Sequence, residues 1–507
     1  MKNKKTNRMM AVSMAALVAA SMLAGCGSNT SESKSSTDTK KTAETTKTED
    51  GKTVIRIVRP TQNIAQSDEE EVQKVQDAIN EYLNDKIDVQ VKIKEIPSGE
   101  YVDKVNLALA NNEIDLFWTA SWEGAISCDS LYKGNGAKDL TEIIKNSDLY
   151  KTMPENVWEA SSYDEKNYFV PVYKETAEGY DLMFRKDLVD KFNWDLSTVK
   201  ELKDIEPMLQ DCLDDGVEAP LLTQATPFEY KFFMDEYAWP ANEAYVGIDR
   251  ETDEVVSVFE TPEYKEYVTM MSEWGQKGYI KEGDATNSNP TNALQSQYWG
   301  ISWWTDVPNN DSASTRYNQD VEVVHMTENY IDSNTTLGSC YAVSSTASDD
   351  AAKASVEFLN LLYSDKELAD LYTYGIEGTD YDRDEDGKIV KKGDLYNHSA
   401  WESCSVMNVS LEAGEPDNKI DLYKKFNDEA KVSNTLGFRF DTTPVEAQLS
   451  AVYNVHSQYG TVLENGGFAP DEVDDVLEKY KEAMDEAGYQ EVLTELTTQY
   501  DNWKASK

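Results

Sequence analysis

The fold is set by the region that begins with Thr53-Val54-Ile55-Arg56-Ile57-Val58, a run whose β-branched residues predict a strand. An acidic helix start and an apolar stripe at helical spacing follow in residues 67–83. A second strand pattern at 89–93, a second helical stripe at 101–109 and a short apolar run at 114–118 complete the series. Strand and helix therefore alternate, which predicts an α/β fold with a mainly parallel sheet and flanking helices.

The same patterns continue further along the chain. Strands are predicted at 180–185, 300–304 and 337–344, and a helix with an apolar face is predicted at 348–363. From residue 470 onward apolar residues recur at helical spacing, which predicts a helical C-terminal region. Ligands of open α/β sheets bind beyond the carboxyl ends of the strands, so residues that follow these strands are the first candidates for a binding site.

The N-terminal residues have the pattern of a secretion signal. Four basic residues precede an apolar run, residues 9–23, that is short for a permanent membrane span. The run ends in Leu23-Ala24-Gly25-Cys26, which resembles the lipobox of bacterial lipoproteins. This resemblance implies that residues 1–25 are removed and that Cys26 is acylated with palmitate. The acyl chain would anchor the protein to the outer face of the cell membrane of a bacterium. A Gram-positive bacterium is the preferred source. The alternative is an ordinary signal peptide with an incidental cysteine.

Residues 26–51 are predicted to form a flexible tether after the lipidated cysteine. They consist almost entirely of small, polar and charged residues, which cannot build a core. The whole chain carries a formal net charge of −46. Nucleic acid and anionic lipid headgroups are therefore poor partners, since binding them requires a basic patch.

The cysteines and histidines show no metal-binding or catalytic pattern. After Cys26 the chain has Cys128, Cys212, Cys340 and Cys404, which are widely separated and lack CxxC spacing. Buried free thiols are the preferred interpretation, while one or two disulfides stay possible in an extracellular setting. The three histidines are dispersed, and no Gly-x-Ser-x-Gly elbow occurs. We expect neither a metal nor a cofactor.

Residues 382–387 imitate the first half of a calcium-binding loop, with acids at positions one, three and five and glycine at six. Position twelve, however, is Gly393, where such a loop requires a bidentate glutamate. An Asp-Gly pair before Lys388 is equally typical of a hairpin turn. We interpret the motif as a turn.

Several stretches resemble, in their order along the chain, the extracellular solute-binding proteins of carbohydrate ABC importers, a family 1-like group. They are DLFWTASW at 115–122, KDLTEII at 138–144, YFVPV at 168–172, LMFRKDL at 182–188 and the helix at 351–362. Two further stretches, YGIEGTDY at 374–381 and GFRFD at 437–441, resemble the uncharacterised C-terminal domain of a lipoprotein subgroup of that family.

The resemblance implies a two-lobe, periplasmic-binding-protein-like fold of type II, with the ligand in a cleft that closes by a hinge. Lobe 1 would comprise residues 52–172 and 338–375, and lobe 2 residues 180–335 and 400–507. The protein would act as a monomer and not as an enzyme. It would bind a carbohydrate, preferably an oligosaccharide, outside the cell and deliver it to ABC permease subunits driven by a cytoplasmic ATPase.

Tryptophans near the ends of two predicted strands are the main candidates for sugar contacts. Sugars present apolar C–H faces and a rim of hydroxyls, so their sites combine aromatic rings with hydrogen-bonding side chains. The candidates are Trp118, Trp122 and Glu123 in lobe 1, and Trp303, Trp304 and Asp306 in lobe 2. The resemblance supports Trp122 and the Trp303/Trp304 pair, because the family's maltose-type members contact sugar with tryptophans at similar places. The alternative for each tryptophan is core packing.

Weaker candidates lie in the predicted crossing segments and loops. They are Tyr173 and Glu175 after the first crossing strand, Arg439 and Asp441 near the hinge, Gln62 and Asn63 after the first strand, and Trp401. Their alternative roles are hinge hydrogen bonds, ion pairs or solvated loop positions.

Three other functions stay open. A binding protein for a peptide or an amino-acid derivative would share the fold. A lipid-anchored glycan-degrading enzyme would need a pair of catalytic carboxylates, which 94 acidic residues neither reveal nor exclude. A surface adhesion or sensory protein would use the closed form as a signal.

Overall fold

Two main β-sheets flanked by helices organise the part of the chain that the computed structural model describes. The described residues are 45–61, 68–223, 233–241, 245–281, 283, 296–317, 319–393, 395–396 and 398–507. They belong to one unit that spans residues 42–507. The predicted α/β class is confirmed.

The strands are numbered in chain order. They are β1 Thr46–Lys47, β2 Thr53–Thr61, β3 Val89–Pro97, β4 Leu116–Thr119, β5 Ser162–Tyr163, β6 Lys166–Asn167, β7 Phe169–Pro171, β8 Tyr180–Arg185, β9 Ala219–Leu221, β10 Tyr237–Ala241, β11 Val246–Asp249, β12 Val255–Ser257, β13 Trp299–Thr305, β14 Val321–His325, β15 Tyr330–Ile331, β16 Cys340–Val343, β17 Tyr381–Arg383, β18 Ile389–Lys391 and β19 Lys431–Val432.

The α-helices are numbered in the same way. They are α1 Glu69–Leu83, α2 Ser98–Ala110, α3 Cys128–Lys133, α4 Thr141–Lys145, α5 Glu155–Ala160, α6 Lys186–Phe192, α7 Glu206–Asp214, α8 Pro262–Lys277, α9 Asn310–Tyr317, α10 Asp349–Ser364, α11 Lys366–Tyr374, α12 Ala400–Ser403, α13 Lys419–Glu429, α14 Glu446–Gln458, α15 Gly460–Glu464, α16 Val473–Glu486 and α17 Tyr489–Ser506. Within the described ranges, no helix is both long enough and apolar enough to cross a membrane.

Lobe 1 is built on a sheet with the strand order β3-β2-β4-β16-β7 and with β1 beside the start of β2. β2 runs parallel to β3 and β4, whereas β16 runs antiparallel to β4 and β7. The sheet is therefore mixed and not mainly parallel as predicted. β16 begins with Cys340, which pairs with Thr119 at the carboxyl end of β4. β16 therefore starts at that edge of the sheet and runs in the opposite direction to β4.

Lobe 2 is built on a second mixed sheet with the order β14-β8-β13-β9. Only β13 and β9 run parallel, and β8 is antiparallel to both of its neighbours. Helices α8, α16 and α17 contribute Tyr267, Tyr480 and Leu496 to the core beneath this sheet. The carboxyl ends of β13 and β14 lie at the same edge as the start of β8.

Side-chain caps mark the start of several helices, including α1 and α8. The carboxylate of Asp68 accepts a hydrogen bond from the backbone N–H of Glu71 at the start of α1, and the Thr261 hydroxyl accepts one from Tyr264 at the start of α8. Ser197 has the residue type of an N-cap, and the apolar pattern after it predicts a helix that runs from there to Leu213, but this prediction is wrong in its start, since α7 begins at Glu206. Asp195 caps a separate short turn at Ser197, and this turn ends before the helix begins.

The segments that cross between the lobes pair with one another. The first segment is residues 172–179, the second 326–339 and the third 430–442. Glu178 in the first pairs with Tyr330 in the second, and β15 in the second runs parallel to β19 in the third. The guanidinium carbon of Arg250 lies 3.6 Å from the centroid of the Tyr330 ring. These pairings are narrow: a single bridge joins the first two segments, and two residue pairs join β15 to β19.

The C-terminal part of the chain divides between the lobes at a place that the sequence did not indicate. The prediction assigned residues 400–507 to lobe 2, but Ala400, Cys404 and Leu436 are buried in the core of lobe 1. From Phe438 onward the buried residues belong to the core of lobe 2. An apolar stripe shows that a helix is buried without showing which sheet buries it, so this boundary lay beyond the sequence pattern.

Candidate functional site

The carboxyl edge of the lobe 1 sheet gathers most of the predicted ligand contacts of that lobe. β2, β3 and β4 run parallel and end at this edge, and Trp122 and Glu123 follow β4 directly. β7 is antiparallel to β16 and therefore parallel to β4, so Tyr173 follows its end at the same edge. Gln62 and Asn63 lie outside the described residues.

Trp122 presents an open aromatic face at this edge. It is 56% exposed, which is unusual for so large an apolar side chain. Its indole Nε1–H donates to the backbone oxygen of Gly338 at 2.9 Å, which fixes the orientation of the ring. A rigid, exposed indole at a strand end is suited to stacking against an apolar ligand face.

Trp118 lies beneath Trp122 and is fully buried, so it has no face to offer a ligand. The two rings meet edge to face with their centroids 5.7 Å apart. Trp118 Nε1–H donates to Ser339 Oγ at 2.8 Å, and Tyr101 Oη–H donates to the backbone oxygen of Trp118 at 2.8 Å. Its place is therefore that of a support for Trp122 and not of a contact residue.

Trp401 packs on the same central ring, and its centroid lies 6.1 Å from that of Trp118. It belongs to α12, a helix of one turn that follows His398. His398 Nε2 lies 2.7 Å from Glu95 Oε1, and Arg59 Nη2 donates to the same oxygen at 2.6 Å. Trp118, Trp122 and Trp401 together are called the tryptophan cluster below.

The residues Arg59, Glu95 and His398 were not identified from the sequence. All three are buried, and their ion pairs join β2, β3 and the segment before α12. Burial and the charge of Arg59 lower the pKa of His398, but Glu95 and Glu402 outweigh both, so the pKa stays raised. β2 carries two arginines and β3 carries two lysines besides Glu95, and charged strand residues usually face solvent, so the sequence did not single out Arg59 or Glu95.

Glu123 and Tyr173 lie largely buried beside the exposed edge. Burial raises the pKa of the Glu123 carboxyl and of the Tyr173 hydroxyl. The backbone oxygen of Tyr173 accepts a hydrogen bond from the N–H of Val406 at 2.8 Å. Glu175 lies further along the crossing segment, where its carboxylate is 3.1 Å from Lys174 Nζ.

Trp303 and Trp304 face opposite sides of the lobe 2 sheet, because successive strand residues alternate. Trp303 is fully buried in the main core of lobe 2. Trp304 is half-buried and packs with a smaller cluster that contains Met183 and Trp299. Of the predicted pair, Trp304 alone retains an accessible surface.

The polar centre of lobe 2 is formed by Asp181, Asp306 and His325, which we call the carboxylate–histidine triad. The register of β8 and β14 sets Asp181 opposite His325, and Asp306 follows the end of β13. His325 Nδ1 lies 2.9 Å from Asp181 Oδ1 and 2.8 Å from Asp306 Oδ1. Both carboxylates are buried, whereas the imidazole is 57% exposed.

Neighbouring groups hold the triad in place. Asn329 Nδ2–H donates to Asp306 Oδ2 at 2.6 Å, and the backbone N–H of Val307 lies 2.6 Å from Asp306 Oδ1. Asn329 comes so close to Gly179 that a Cβ there would lie 2.2 Å from the amide oxygen, so a larger residue would displace the Asn329 side chain from Asp306.

The electrostatics of the triad favour a charged imidazole. Hydrogen bonds to Asp181 and Asp306 raise the pKa of His325 to about 10. Burial raises the pKa of Asp181 well above its usual range, and the neighbouring Asp306 adds to this. Among the residues that the structure describes, these three also place their donor atoms within 4.8 Å of one another, so they have the ligand types for a divalent cation. The predicted residue Asp306 is thus in the cluster, while the sequence missed Asp181 and His325.

Arg439 and Asp441 act within the protein framework. The Arg439 guanidinium lies 3.7 Å from the centroid of the Tyr163 ring and donates to the backbone oxygens of Ser162 and Ser333 at 2.9 and 2.7 Å. Asp441 is exposed, and its carboxylate lies 3.6 Å from Lys133 Nζ of α3. Both therefore brace the third crossing segment.

The calcium-like segment forms a hairpin in which β17 pairs antiparallel with β18. Asp384 Oδ1 accepts hydrogen bonds from the backbone N–H groups of Asp386 and Lys388, as in an Asx turn. Asp382 forms an ion pair with Lys392 at 2.6 Å. The carboxylates at positions one and three of the calcium-like motif therefore already have partners: Asp382 pairs with Lys392, and Asp384 bonds the backbone of the turn.

The chain is similar in sequence and in structure to carbohydrate transport proteins. Its sequence is 28% identical, over the full length of both chains, to a carbohydrate ABC transporter substrate-binding protein of Streptococcus pneumoniae serotype 4. The crystal structure of the N-glycan transport solute-binding protein NgtS from Streptococcus pneumoniae has a TM-score of 0.76 and 24% identity, covering 90% of this chain and all of that one. The same protein in complex with Man5GlcNAc has a TM-score of 0.65 and 25% identity, covering 90% and 99%.

Two family models match the chain. A domain of unknown function, DUF3502, matches residues 434–505, which include the predicted stretch 437–441 but not 374–381. The model described as bacterial extracellular solute-binding protein matches residues 77–379, more than half of the chain. The two-lobe type II fold is confirmed by the solved structures. The chain belongs to the family of bacterial extracellular solute-binding proteins.

Proposed function

We propose that this protein binds an oligosaccharide outside the cell and delivers it to an ABC import permease. The observation that carries the proposal is the exposed, hydrogen-bonded ring of Trp122 at the carboxyl edge of the lobe 1 sheet. The similarity to a carbohydrate ABC transporter substrate-binding protein and to the NgtS complexes supports it. The first candidate ligands are mannose- and N-acetylglucosamine-containing glycans.

Lobe 1 supplies apolar contacts to the sugar. The exposed face of Trp122 stacks against the C–H groups of a pyranose ring, and Trp118 prevents the indole from tilting away. Trp401, half-buried and also in edge contact with Trp118, extends the aromatic surface toward a neighbouring sugar residue. An oligosaccharide fits this arrangement better than a single sugar, because two partly accessible rings contact the same buried ring.

Lobe 2 supplies polar contacts. Asp181 and Asp306 engage the Nδ1 atom of His325, which leaves the far side of an exposed, positively charged ring directed to solvent. The Nε2–H group can donate a charge-assisted hydrogen bond to a hydroxyl or carbonyl oxygen of the ligand. Trp304, half-buried in the same strand that leads to Asp306, borders this edge.

Binding and closure are coupled through the hinge. A ligand that contacts the tryptophan cluster and the triad together interacts more favourably with the closed form than with the open one, and so shifts the population toward closure. The narrow strand pairings of the crossing segments allow such a movement. No covalent change in the ligand is required, so the protein is a carrier and not an enzyme.

The proposed location follows from the family and from the N-terminal sequence. Extracellular solute-binding proteins work outside the cytoplasm, and acylation at Cys26 would keep this one close to its permease and the attached ATPase. Because the chain is strongly acidic, charge alone would not hold it at an anionic membrane.

The ligand class is tested by calorimetry and intrinsic tryptophan fluorescence with a panel of glycans, including Man5GlcNAc, alongside peptides and single amino acids. We expect saturable binding of at least one oligosaccharide and none of the peptides. A response to peptides without a response to any glycan would contradict the proposal and favour a peptide-binding function. Incubation with the bound glycan followed by mass spectrometry of the products tests for hydrolysis, which we do not expect.

A further inference from the structure

Two of the cysteines meet next to β4, the strand that contains Trp118. Cys128 is the first residue of α3, and Cys340 is the first residue of β16. Their Sγ atoms lie 3.4 Å apart, and both residues are fully buried. In sequence they are 212 residues apart, so only the tertiary fold brings them together.

The other two cysteines beyond the tether lie in different surroundings. Cys212 is buried against Gly300, where an added Cβ would lie 2.6 Å from its sulfur. Cys404 is buried next to Thr373, with its sulfur 3.5 Å from the hydroxyl oxygen. Of the pairings that the sequence left open, the geometry selects one.

We propose that Cys128 and Cys340 form a disulfide bond in the protein outside the cytoplasm. A disulfide holds its sulfurs about 2.05 Å apart, so the two sulfurs need to approach by little more than an ångström from their separation of 3.4 Å. The compartment supports the proposal, since disulfides form and persist outside the cytoplasm.

The chemistry is a two-electron oxidation. Two S–H bonds break, one S–S bond forms, and two electrons and two protons pass to an external disulfide oxidant, either a thiol oxidoreductase or a small-molecule disulfide, which becomes a dithiol or two thiols. Burial raises the pKa of the Cys340 thiol, which lowers its reactivity in the folded state. The exchange therefore takes place while the chain folds, before the two sulfurs are covered.

The bond would brace the two segments that hold Trp122. Cys128 follows the short turn that begins at Gly124, directly after Trp122 and Glu123. Cys340 follows Gly338 and Ser339, which accept the hydrogen bonds of the Trp122 and Trp118 indoles. A covalent link between these segments closes a very long loop and so restricts the unfolded chain strongly.

The pairing is tested on the secreted protein, extracted from an oxidising bacterial periplasm without reductant, then denatured and alkylated. We expect peptide mapping to show a linked Cys128–Cys340 peptide, with Cys212 and Cys404 alkylated. Alkylation of both Cys128 and Cys340 would overturn the proposal.

Thermal unfolding with and without a strong reductant provides a second readout. Reductant should lower the Tm of the wild type and of the matched control Cys212→Ser, but should leave the Tm of a Cys128→Ser/Cys340→Ser double variant unchanged. Equal shifts in all three proteins would contradict the bond. Neither outcome bears on whether the protein binds a glycan, so failure here leaves the proposed function standing.

Discussion

Each lobe places a histidine against buried carboxylates near the carboxyl edge of its sheet, but the two clusters differ in exposure. In lobe 1, His398 and Glu95 are both buried, and Arg59 shares the carboxylate. In lobe 2, Asp181 and Asp306 are buried, but the imidazole of His325 is more than half exposed. The same chemical pair thus serves as an internal support in one lobe and as a surface group in the other.

The difference shows how the two edges divide the work of binding. In lobe 1 the charged side chains of Arg59, Glu95 and His398 are buried, and the ring of Trp122 is exposed. Ligand contacts at this edge therefore do not depend on a charged side chain of the protein. Lobe 2 hides most of its tryptophan surface, including all of Trp303, and presents a charged ring. A sugar needs both kinds of contact, because its faces are apolar and its rim is polar.

The largest effect should come from the buried cluster of lobe 1. Glu95→Gln removes the charge that compensates Arg59 and His398, and leaving a buried charge unpaired costs about 3 kcal/mol. We expect the free energy of unfolding, measured with urea, to fall by about this amount. The matched control Glu100→Gln changes an exposed ion pair with Lys104 and should cost less than about 0.5 kcal/mol. Equal effects of the two substitutions would show that the cluster does not support the edge.

The second effect concerns the exposed ring above that cluster. Trp122→Ala removes the stacking face and should weaken glycan binding about 10- to 100-fold, as expected for the loss of one large apolar contact. Tyr453→Ala is the control, since Tyr453 is 50% exposed and lies on α14, outside the proposed site. Calorimetry with the same glycan measures both, and unchanged affinity in Trp122→Ala would remove this residue from the site.

The two lobes also differ in how much of each site could be predicted from the sequence. Trp122 could be identified because it follows an apolar strand directly, and ligand sites lie beyond strand ends. The triad could not, because Asp181 and His325 are 144 residues apart and meet only through the register of β8 and β14. The predicted site contains Trp303 and Trp304 as a pair, although adjacent strand residues face opposite sides of a sheet, and the strand pattern does not show which side is the core. Register and the choice of buried face depend on tertiary packing.

A smaller, pH-dependent effect on stability should distinguish the triad of lobe 2 from the buried cluster of lobe 1. The pKa of His325 is raised to about 10 from an ordinary value near 6.5, so its contribution to stability is fully present below about pH 6.5 and is lost as the pH rises toward 10. We expect the free energy of unfolding of the wild type to fall over this range by more than that of His325→Gln. Since the ring is exposed, solvent screening keeps the difference small. Identical pH profiles would show that the triad does not charge the imidazole.

The smallest effect should come from removal of divalent cations. The triad has ligands that a cation accepts, but the protonated Nδ1 of His325 already lies between Asp181 and Asp306 and neutralises part of their charge. Glycan affinity in EDTA should therefore equal that in calcium, manganese or zinc. The opposite outcome would be a loss of glycan affinity in EDTA that zinc restores and that does not occur in His325→Gln. The triad would then be a cation site, and the two histidine clusters would differ in chemistry as well as in exposure. The Arg59, Glu95 and His398 side chains of lobe 1 are buried and offer no exposed ligand atom to a cation. An effect of EDTA would therefore report on the triad alone.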